Sequence, residues 1–98
     1  MRLKKILKLS SFNLNTYVIG GPENIEERHL LPSETKSEAL VRFVDIFSSL
    51  GLDVFQLRFK NSSDDDFLKL ANEIVQVLKN TNCKLCINDN VQIVNKLS

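Results

Sequence analysis

Short apolar strands alternate with two longer helical stripes, and this alternation limits the fold of the chain more than any other feature. Apolar residues recur at three- and four-residue steps between positions 39 and 50 and again between positions 67 and 78. Strand-like runs rich in apolar residues lie before, between and after these helices, at residues 16–19, 52–60 and 84–87. A further helical pattern begins at residues 91–97. The order β-α-β-α-β-(α) predicts an α/β fold in which right-handed crossovers connect the strands of a parallel sheet.

Capping residues mark where the two helices begin and end. Thr35 and Glu38 have the spacing of a capping box, and Gly51 stands where a left-handed residue ends a helix. The second helix is expected to begin after Ser63 and to end near Asn80, which can also adopt a left-handed conformation. Three aspartates fill its first turn, where we expect them to face the positive end of the helix dipole rather than a metal ion.

Length and charge exclude several classes of protein. A chain of 98 residues forms one small domain, and its net charge of +1 gives no general reason to bind nucleic acid or an anionic membrane. No apolar run approaches the ~20 residues that span a bilayer. Residues 1–22 contain four cations and no acid, but their apolar residues are too scattered for a secretory signal. We expect this segment to form a short strand or helix that packs on the domain.

The sequence contains two cysteines, Cys83 and Cys86, and one histidine, His29. The cysteines lie three apart in a strand-like run and are therefore expected on opposite faces, which disfavours a shared metal or disulfide. We interpret them as reduced structural residues in a cytoplasmic environment. His29 lies in a long polar connection over residues 20–35, which we expect to contain a helical turn around residues 25–31. We assign this histidine no role.

The second strand carries the polar groups that suggest a site. Its apolar residues alternate with Gln56, Arg58 and Lys60, which on alternation alone could form a solvated face. Ligands of parallel α/β folds bind at the carboxyl ends of the strands, where Lys60, Asn88 and Asp89 are expected. Arginine and lysine suit phosphate oxygens, and a carboxylate beside a phosphate suits Mg²⁺. The pattern indicates a site for a phosphate or pyrophosphate ester with magnesium.

These residues also carry a resemblance to a known family. The run Gln56-Leu57-Arg58-Phe59-Lys60, followed after a helix by Ile87-Asn88-Asp89, resembles the V-Q-L-R-x-K and I-N-D motifs in the first half of thiamine-phosphate synthases. The strand at residues 16–19 is similar to that family's first strand, and the resemblance extends over residues 15–97. The pair of motifs is more specific than either motif alone.

The resemblance implies a fold, a reaction and roles for individual residues. The chain would be equivalent to the first half of a TIM (β/α)8 barrel. The reaction would be a step of thiamine biosynthesis that joins hydroxymethylpyrimidine diphosphate to thiazole phosphate and releases pyrophosphate. By resemblance, Gln56, Arg58, Lys60 and Asn88 would bind the pyrimidine diphosphate, and Asp89 would bind Mg²⁺.

Two departures from the family pattern and the length of the chain modify these expectations. Phe59 replaces a frequent glutamate, but it should point away from the site and pack under a helix. Gly20 and Gly21 replace the Thr-Asp that often ends the first strand. We treat residues 1–98 as a single truncated half-barrel domain and expect little or no catalysis from it alone, since three strands cannot close a barrel.

Two alternatives to a thiamine-phosphate synthase remain open. One is a non-catalytic phosphate-binding or assembly module that pairs its open sheet edge with another copy or with a complementing half-barrel chain. The other is a related barrel such as a thiazole tautomerase. The presence of Asn88 and Asp89 argues against the tautomerase.

Overall fold

Four strands and two α-helices make up the described part of the chain. A computed structural model describes residues 2–8 and 13–87. The strands are β1 (Arg2–Lys8), β2 (Asn13–Gly20), β3 (Val54–Leu57) and β4 (Lys84–Ile87), and the helices are α1 (Lys36–Ser49) and α2 (Asp64–Leu78). Two 3₁₀ turns, Pro22–Asn24 and Glu27–His29, lie between β2 and α1. The helix predicted at residues 91–97 lies outside the described residues.

The sheet has the strand order β1-β2-β3-β4. Strands β2, β3 and β4 are parallel, and α1 and α2 connect them in turn. This arrangement confirms the predicted βαβαβ unit. The basic N-terminal segment forms a strand, one of the two structures expected for it, and this strand pairs antiparallel with β2.

Both helices pack on the same face of the sheet. The strands place their apolar side chains on this face at alternate positions, where the helices bury them. Phe55 and Leu57 of β3 are completely buried between the sheet and the helices. Apolar side chains from the helical stripes complete the core: Ala39, Leu40, Val44, Phe67, Leu70, Ala71, Ile74 and Leu78. The stripes recognised in the sequence are therefore the surfaces that the helices bury.

Three of the four predicted helix boundaries have the expected capping structure. Thr35 accepts a hydrogen bond from the Glu38 amide in a capping box, and Ser63 caps α2. Gly51 has a φ of 100°, as its place after α1 requires. The fourth boundary was predicted near Asn80, and α2 does end close to it, at Leu78, but Asn80 is not left-handed.

The carboxyl end of α2 is capped by a threonine instead of a left-handed asparagine. The Thr81 amide and hydroxyl both donate to the Leu78 carbonyl, at 3.0 and 2.8 Å. Asn80 is not among the residues with positive φ in the described ranges, which are Ser33, Asn61 and Gly51. Thr81 satisfies the last carbonyl directly, so the chain can leave the helix without a left-handed residue.

The long connection between β2 and α1 is ordered by its contacts with the domain. Ile25 is only 3% exposed and joins the core. Arg42 of α1 donates to both carboxylate oxygens of Glu34 at 2.8 and 2.9 Å and to the His29 carbonyl at 2.9 Å. The predicted helical turn is present as the second 3₁₀ turn. His29 is exposed, and its ring packs edge-on against Phe43 at 6.0 Å.

Candidate functional site

The strand that carries the candidate site is shorter than predicted. We expected a strand over residues 52–60, but β3 covers only Val54–Leu57. The Arg58 amide still donates to the Gly20 carbonyl of β2 at 3.0 Å. The chain then turns through Lys60 and Asn61, whose φ is 59°. Gln56 therefore lies in the strand, Arg58 at its end, and Lys60 in the turn that leads to α2.

The three predicted anion-binding side chains differ in their exposure. Gln56 is half-buried and alternates with the fully buried Phe55 and Leu57, so it lies on the sheet face opposite the helices. Arg58 and Lys60 are exposed. Neither cation forms an ion pair with another residue of ranges 2–8 and 13–87, where the salt bridges are Arg28–Glu26 and Arg42–Glu34. Within these ranges, both cations can meet an anion without first breaking an ion pair.

Gly21 holds the end of β2 close to the end of β3. A Cβ atom on Gly21 would lie 2.0 Å from the Arg58 carbonyl oxygen. Only glycine permits this approach without a shift of the Arg58 backbone. In the sequence, Gly20 and Gly21 differ from the family pattern. The structure shows that Gly21 positions the backbone of a candidate site residue, which no local sequence signal revealed.

Hydrogen bonds between Thr16 and Asp53 join the same two strands near the start of their parallel pairing. The Thr16 amide donates to Asp53 Oδ2 at 2.8 Å, and the Asp53 amide donates to the Thr16 hydroxyl at 3.2 Å. These bonds fix the register of β2 against β3 at the end remote from the candidate site. Sequence reasoning missed both residues because they lie 37 positions apart.

Phe59 lies apart from the polar residues, as predicted. It is half-buried against the core, and its ring centroid lies 6.2 Å from that of Phe67 in α2. A groove of about 450 Å³ beside it runs between the amino ends of α1 and α2. Its three acids, Glu38, Asp66 and Glu73, outnumber its one cation, Lys69, so the net charge of the groove does not suit a phosphate.

The metal prediction depends on a residue outside the described ranges. Asn88 and Asp89 both lie beyond residue 87. Within residues 2–8 and 13–87, no three carboxylate, histidine or cysteine side chains come together as a metal site. The groups described at the end of β3 are an amide and two cations, which do not form a magnesium site by themselves.

The two cysteines lie on opposite sides of β4, as predicted. Cys83 is buried, whereas Cys86 is exposed, and both are free thiols. Burial raises the pKa of the Cys83 thiol above its usual value. The sulfur atoms therefore do not converge on one metal or redox site.

The fold is that of an α/β protein built from parallel βα units. Parallel βα units with exposed cations at a strand's carboxyl end are typical of α/β proteins that bind phosphorylated ligands. The sequence profile of the thiamine monophosphate synthase family matches residues 28–98. The chain belongs to this family, which has a TIM-like fold.

The matched segment contains every predicted site residue, from Gln56 to Asp89, and leaves out β1 and β2. No curated protein and no solved structure matches the chain significantly. Within the described residues, no helix has both the length and the apolar character needed to cross a membrane.

Proposed function

We propose that this chain binds the pyrophosphate group of hydroxymethylpyrimidine diphosphate as part of thiamine phosphate synthesis. The observation that carries the proposal is the pair of exposed cations, Arg58 and Lys60, at the carboxyl end of β3. Family membership supports the same class of ligand. Arg58 would form a bidentate contact with phosphate oxygens, and Lys60 would act as a point charge.

The remaining predicted residues complete the proposed ligand site. Gln56 lies one strand step before Arg58 and would donate its amide to the same ligand. Asn88 would contact the pyrimidine diphosphate from the end of β4, and Asp89 would bind Mg²⁺. The metal would neutralise part of the charge on the leaving pyrophosphate. Arg58 and Lys60 would stabilise the same charge as it develops in the transition state.

We expect the 98-residue polypeptide by itself to bind this ligand without catalysing the transfer. Its described sheet has three parallel strands, whereas a closed barrel of this type has eight. A thiazole phosphate site would require further strands. Thiamine phosphate formation by the purified polypeptide without a partner would refute this expectation. The free thiols are consistent with a cytoplasmic location, which we include in the proposal.

A non-catalytic phosphate-binding or assembly module is the second candidate function. The exposed cations at the end of β3 favour this function as much as they favour thiamine phosphate synthesis, since anion binding does not require a closed barrel. Its expected partner is another copy or a complementing half-barrel chain. Adding a candidate complementing chain distinguishes the two functions, because thiamine phosphate forms only if the assembled site is catalytic.

Calorimetric titration with pyrophosphate tests the site itself. Arg58→Ala removes a charged hydrogen-bond donor worth roughly 1.5–3 kcal/mol and should weaken binding about 10- to 100-fold. Arg28→Ala is the control, because Arg28 is also an exposed arginine and lies in the 3₁₀ turn Glu27–His29, away from the end of β3, where it pairs with Glu26. If both variants lose the same affinity, the proposed site is wrong and binding reflects charge alone.

A further inference from the structure

A second groove, of about 510 Å³, lies where β3 begins, at the opposite end of this strand from Arg58. It is bordered by the segment that joins α1 to β3 and by the segment that joins α2 to β4. None of the described residues that line it is a lysine or an arginine. Six polar side chains line this carboxyl-end groove: Ser48, Ser49, Asp53, Asn80, Thr81 and Asn82.

The three hydroxyl groups of the carboxyl-end groove use their hydrogens within the protein. Ser48 and Ser49 both donate to the Asp45 carbonyl at 2.9 Å. The Thr81 hydroxyl donates to the last carbonyl of α2 at 2.8 Å and accepts from the Cys83 amide at 3.2 Å. A hydroxyl that already donates its one hydrogen can only accept from a further partner. These oxygens therefore offer lone pairs, and no hydrogen, to a ligand.

Asp53 adds a carboxylate to these acceptors. Thr16 donates to Oδ2 of this carboxylate from its amide at 2.8 Å and from its hydroxyl at 3.4 Å. Within residues 2–8 and 13–87, no donor forms a hydrogen bond with Oδ1. An ionised carboxylate has no hydrogen to donate, so Oδ1 is a charged acceptor that a ligand can use.

The carboxyl ends of both helices lie at the same groove. Ser48 and Ser49 are the last two residues of α1, and Asn80 and Thr81 follow α2 closely. The carboxyl end of a helix carries a partial negative charge of about half an elementary charge. Neither helix has a basic residue in its last turn that would offset this charge. Lys79 follows α2 directly but does not line the groove.

We propose that the carboxyl-end groove is a binding site for a small organic cation that carries a guanidinium group. A guanidinium presents five donors and no acceptor, which matches a groove whose hydroxyls and carboxylate only accept. Its charge is matched by Asp53 and by the two helix ends. The volume lies within the range of roughly 300–1,000 Å³ that is usual for small-molecule pockets.

A divalent metal ion fits the carboxyl-end groove less well than an organic cation. Asp53 is its only carboxylate among the described lining residues. No three carboxylate, histidine or cysteine side chains of residues 2–8 and 13–87 come together as a metal site. The site is also separate from the proposed pyrophosphate site, which lies at the other end of β3 and requires positive groups.

Titration of the full chain with methylguanidinium chloride, followed by amide NMR chemical shifts at constant ionic strength, tests the site. Millimolar concentrations suffice and remain far below those that unfold proteins. We expect saturable shifts at residues 48–53 and 78–82. Tetramethylammonium is the control probe, because it has the same charge but no N–H donor. Equal binding of both cations, or no saturable methylguanidinium shift at these residues, would overturn the proposal.

Two variants with the same loss of charge show whether Asp53 holds the cation. Asp53→Asn removes the charge but keeps an acceptor for the Thr16 amide. Its affinity for methylguanidinium should fall about tenfold, as expected for the loss of one charged hydrogen bond. Asp65→Asn is the matched control, because Asp65 is exposed in the first turn of α2, at the other end of that helix. Equal losses in the two variants would show that binding follows net charge alone.

An added lysine provides a test that leaves the contact between Asp53 and Thr16 unchanged. Asn80 is exposed, and Asn80→Lys introduces an ammonium group beside the end of α2. This group should compete for the same acceptors and abolish the methylguanidinium shifts. Asn72→Lys adds the same charge at an exposed position in the middle of α2 and should leave the affinity unchanged. Undiminished binding by Asn80→Lys, or equal losses in both lysine variants, would contradict the proposal.

Discussion

At the scale of single residues, the geometry of the candidate site depends on a glycine as well as on its cations. Gly21 is buried, and its Cα lies against the Arg58 carbonyl. The Arg58 amide donates a hydrogen bond to the carbonyl of Gly20, the residue before Gly21. The backbone on both sides of the Arg58 side chain is thus held by the end of β2, which limits where the guanidinium can reach.

Gly21→Ala tests this dependence. A methyl group 2.0 Å from a backbone oxygen forces the two strand ends apart, so we expect a destabilisation of about 1–3 kcal/mol. The shift of Arg58 should also weaken pyrophosphate binding, measured by calorimetry at a temperature where the variant is folded.

Gly51→Ala is the control for the glycine prediction. Gly51 has a φ of 100° and no heavy atom within 4 Å of the added Cβ. Its substitution should cost roughly 1–2 kcal/mol through backbone strain alone. Pyrophosphate affinity should remain that of the unmodified protein. Similar affinity losses in both variants would show that the contact with Arg58 is not what matters.

At the scale of elements, the start of α1 is tied to the connection that precedes it by a charged contact. Hydrogen bonds from Arg42, and then from the Leu31 amide, lower the pKa of Glu34 from 4.5 to about 2. The same contact raises the pKa of Arg42. Because Arg42 also binds the His29 carbonyl, one side chain joins α1 to two points of the 3₁₀ region.

The depressed pKa predicts how acid affects stability. Glu34 is a stronger acid in the folded protein than in the unfolded chain, so its ionised form stabilises the fold fully above pH 4.5. This stabilisation should disappear as the pH falls from 4.5 through about 2. Thermal unfolding followed by circular dichroism should show a smaller loss of melting temperature over this window for Glu34→Gln than for the unmodified protein.

Glu27→Gln provides the matched control for the acid experiment. Glu27 is exposed and forms no salt bridge within the described residues. Its substitution should leave the pH dependence of the melting temperature unchanged. If Glu34→Gln and Glu27→Gln behave alike, the contact with Arg42 does not contribute to the acid sensitivity.

At the scale of the whole molecule, the described helices cover only one face of the parallel sheet. The opposite face carries Tyr17 and Gln56, both half-buried, and the exposed Cys86. The pKa of Tyr17 is raised by burial and, to a lesser extent, by the Cys86 thiol, which places the two side chains near each other. Parallel sheets are normally covered on both faces, and in a closed barrel this face would form the interior.

Thiol labelling can be used to test how the two faces of the sheet differ in exposure at β4. Cys86 should react at once with a thiol reagent in the native protein, whereas Cys83 should react only after unfolding, because it is buried and its pKa is raised. Cys86→Ser should abolish the fast reaction, as measured by mass spectrometry. Equal rates for both thiols in the native protein would show that the two faces of β4 are not distinguished in solution.

Local patterns predicted most of the elements because the interactions that define them are themselves local. The caps at Thr35 and Ser63 involve residues three apart, and the buried stripes follow from helical periodicity. The opposite faces of Cys83 and Cys86 follow from strand geometry. The predicted left-handed conformation of Asn80 was wrong for a local reason as well, because Thr81 caps the helix instead.

The sequence by itself determined the order of strands and helices, the helix surfaces that face the core, and the residue types that suit a phosphate. These properties depend on periodicity and on side-chain chemistry, which each segment carries alone. Only the tertiary structure decided that β1 pairs antiparallel on β2, that β3 ends at Leu57, and that Gly21 touches Arg58. The physical reason is that these features are contacts between segments far apart in the chain, and no single segment contains the information that specifies them.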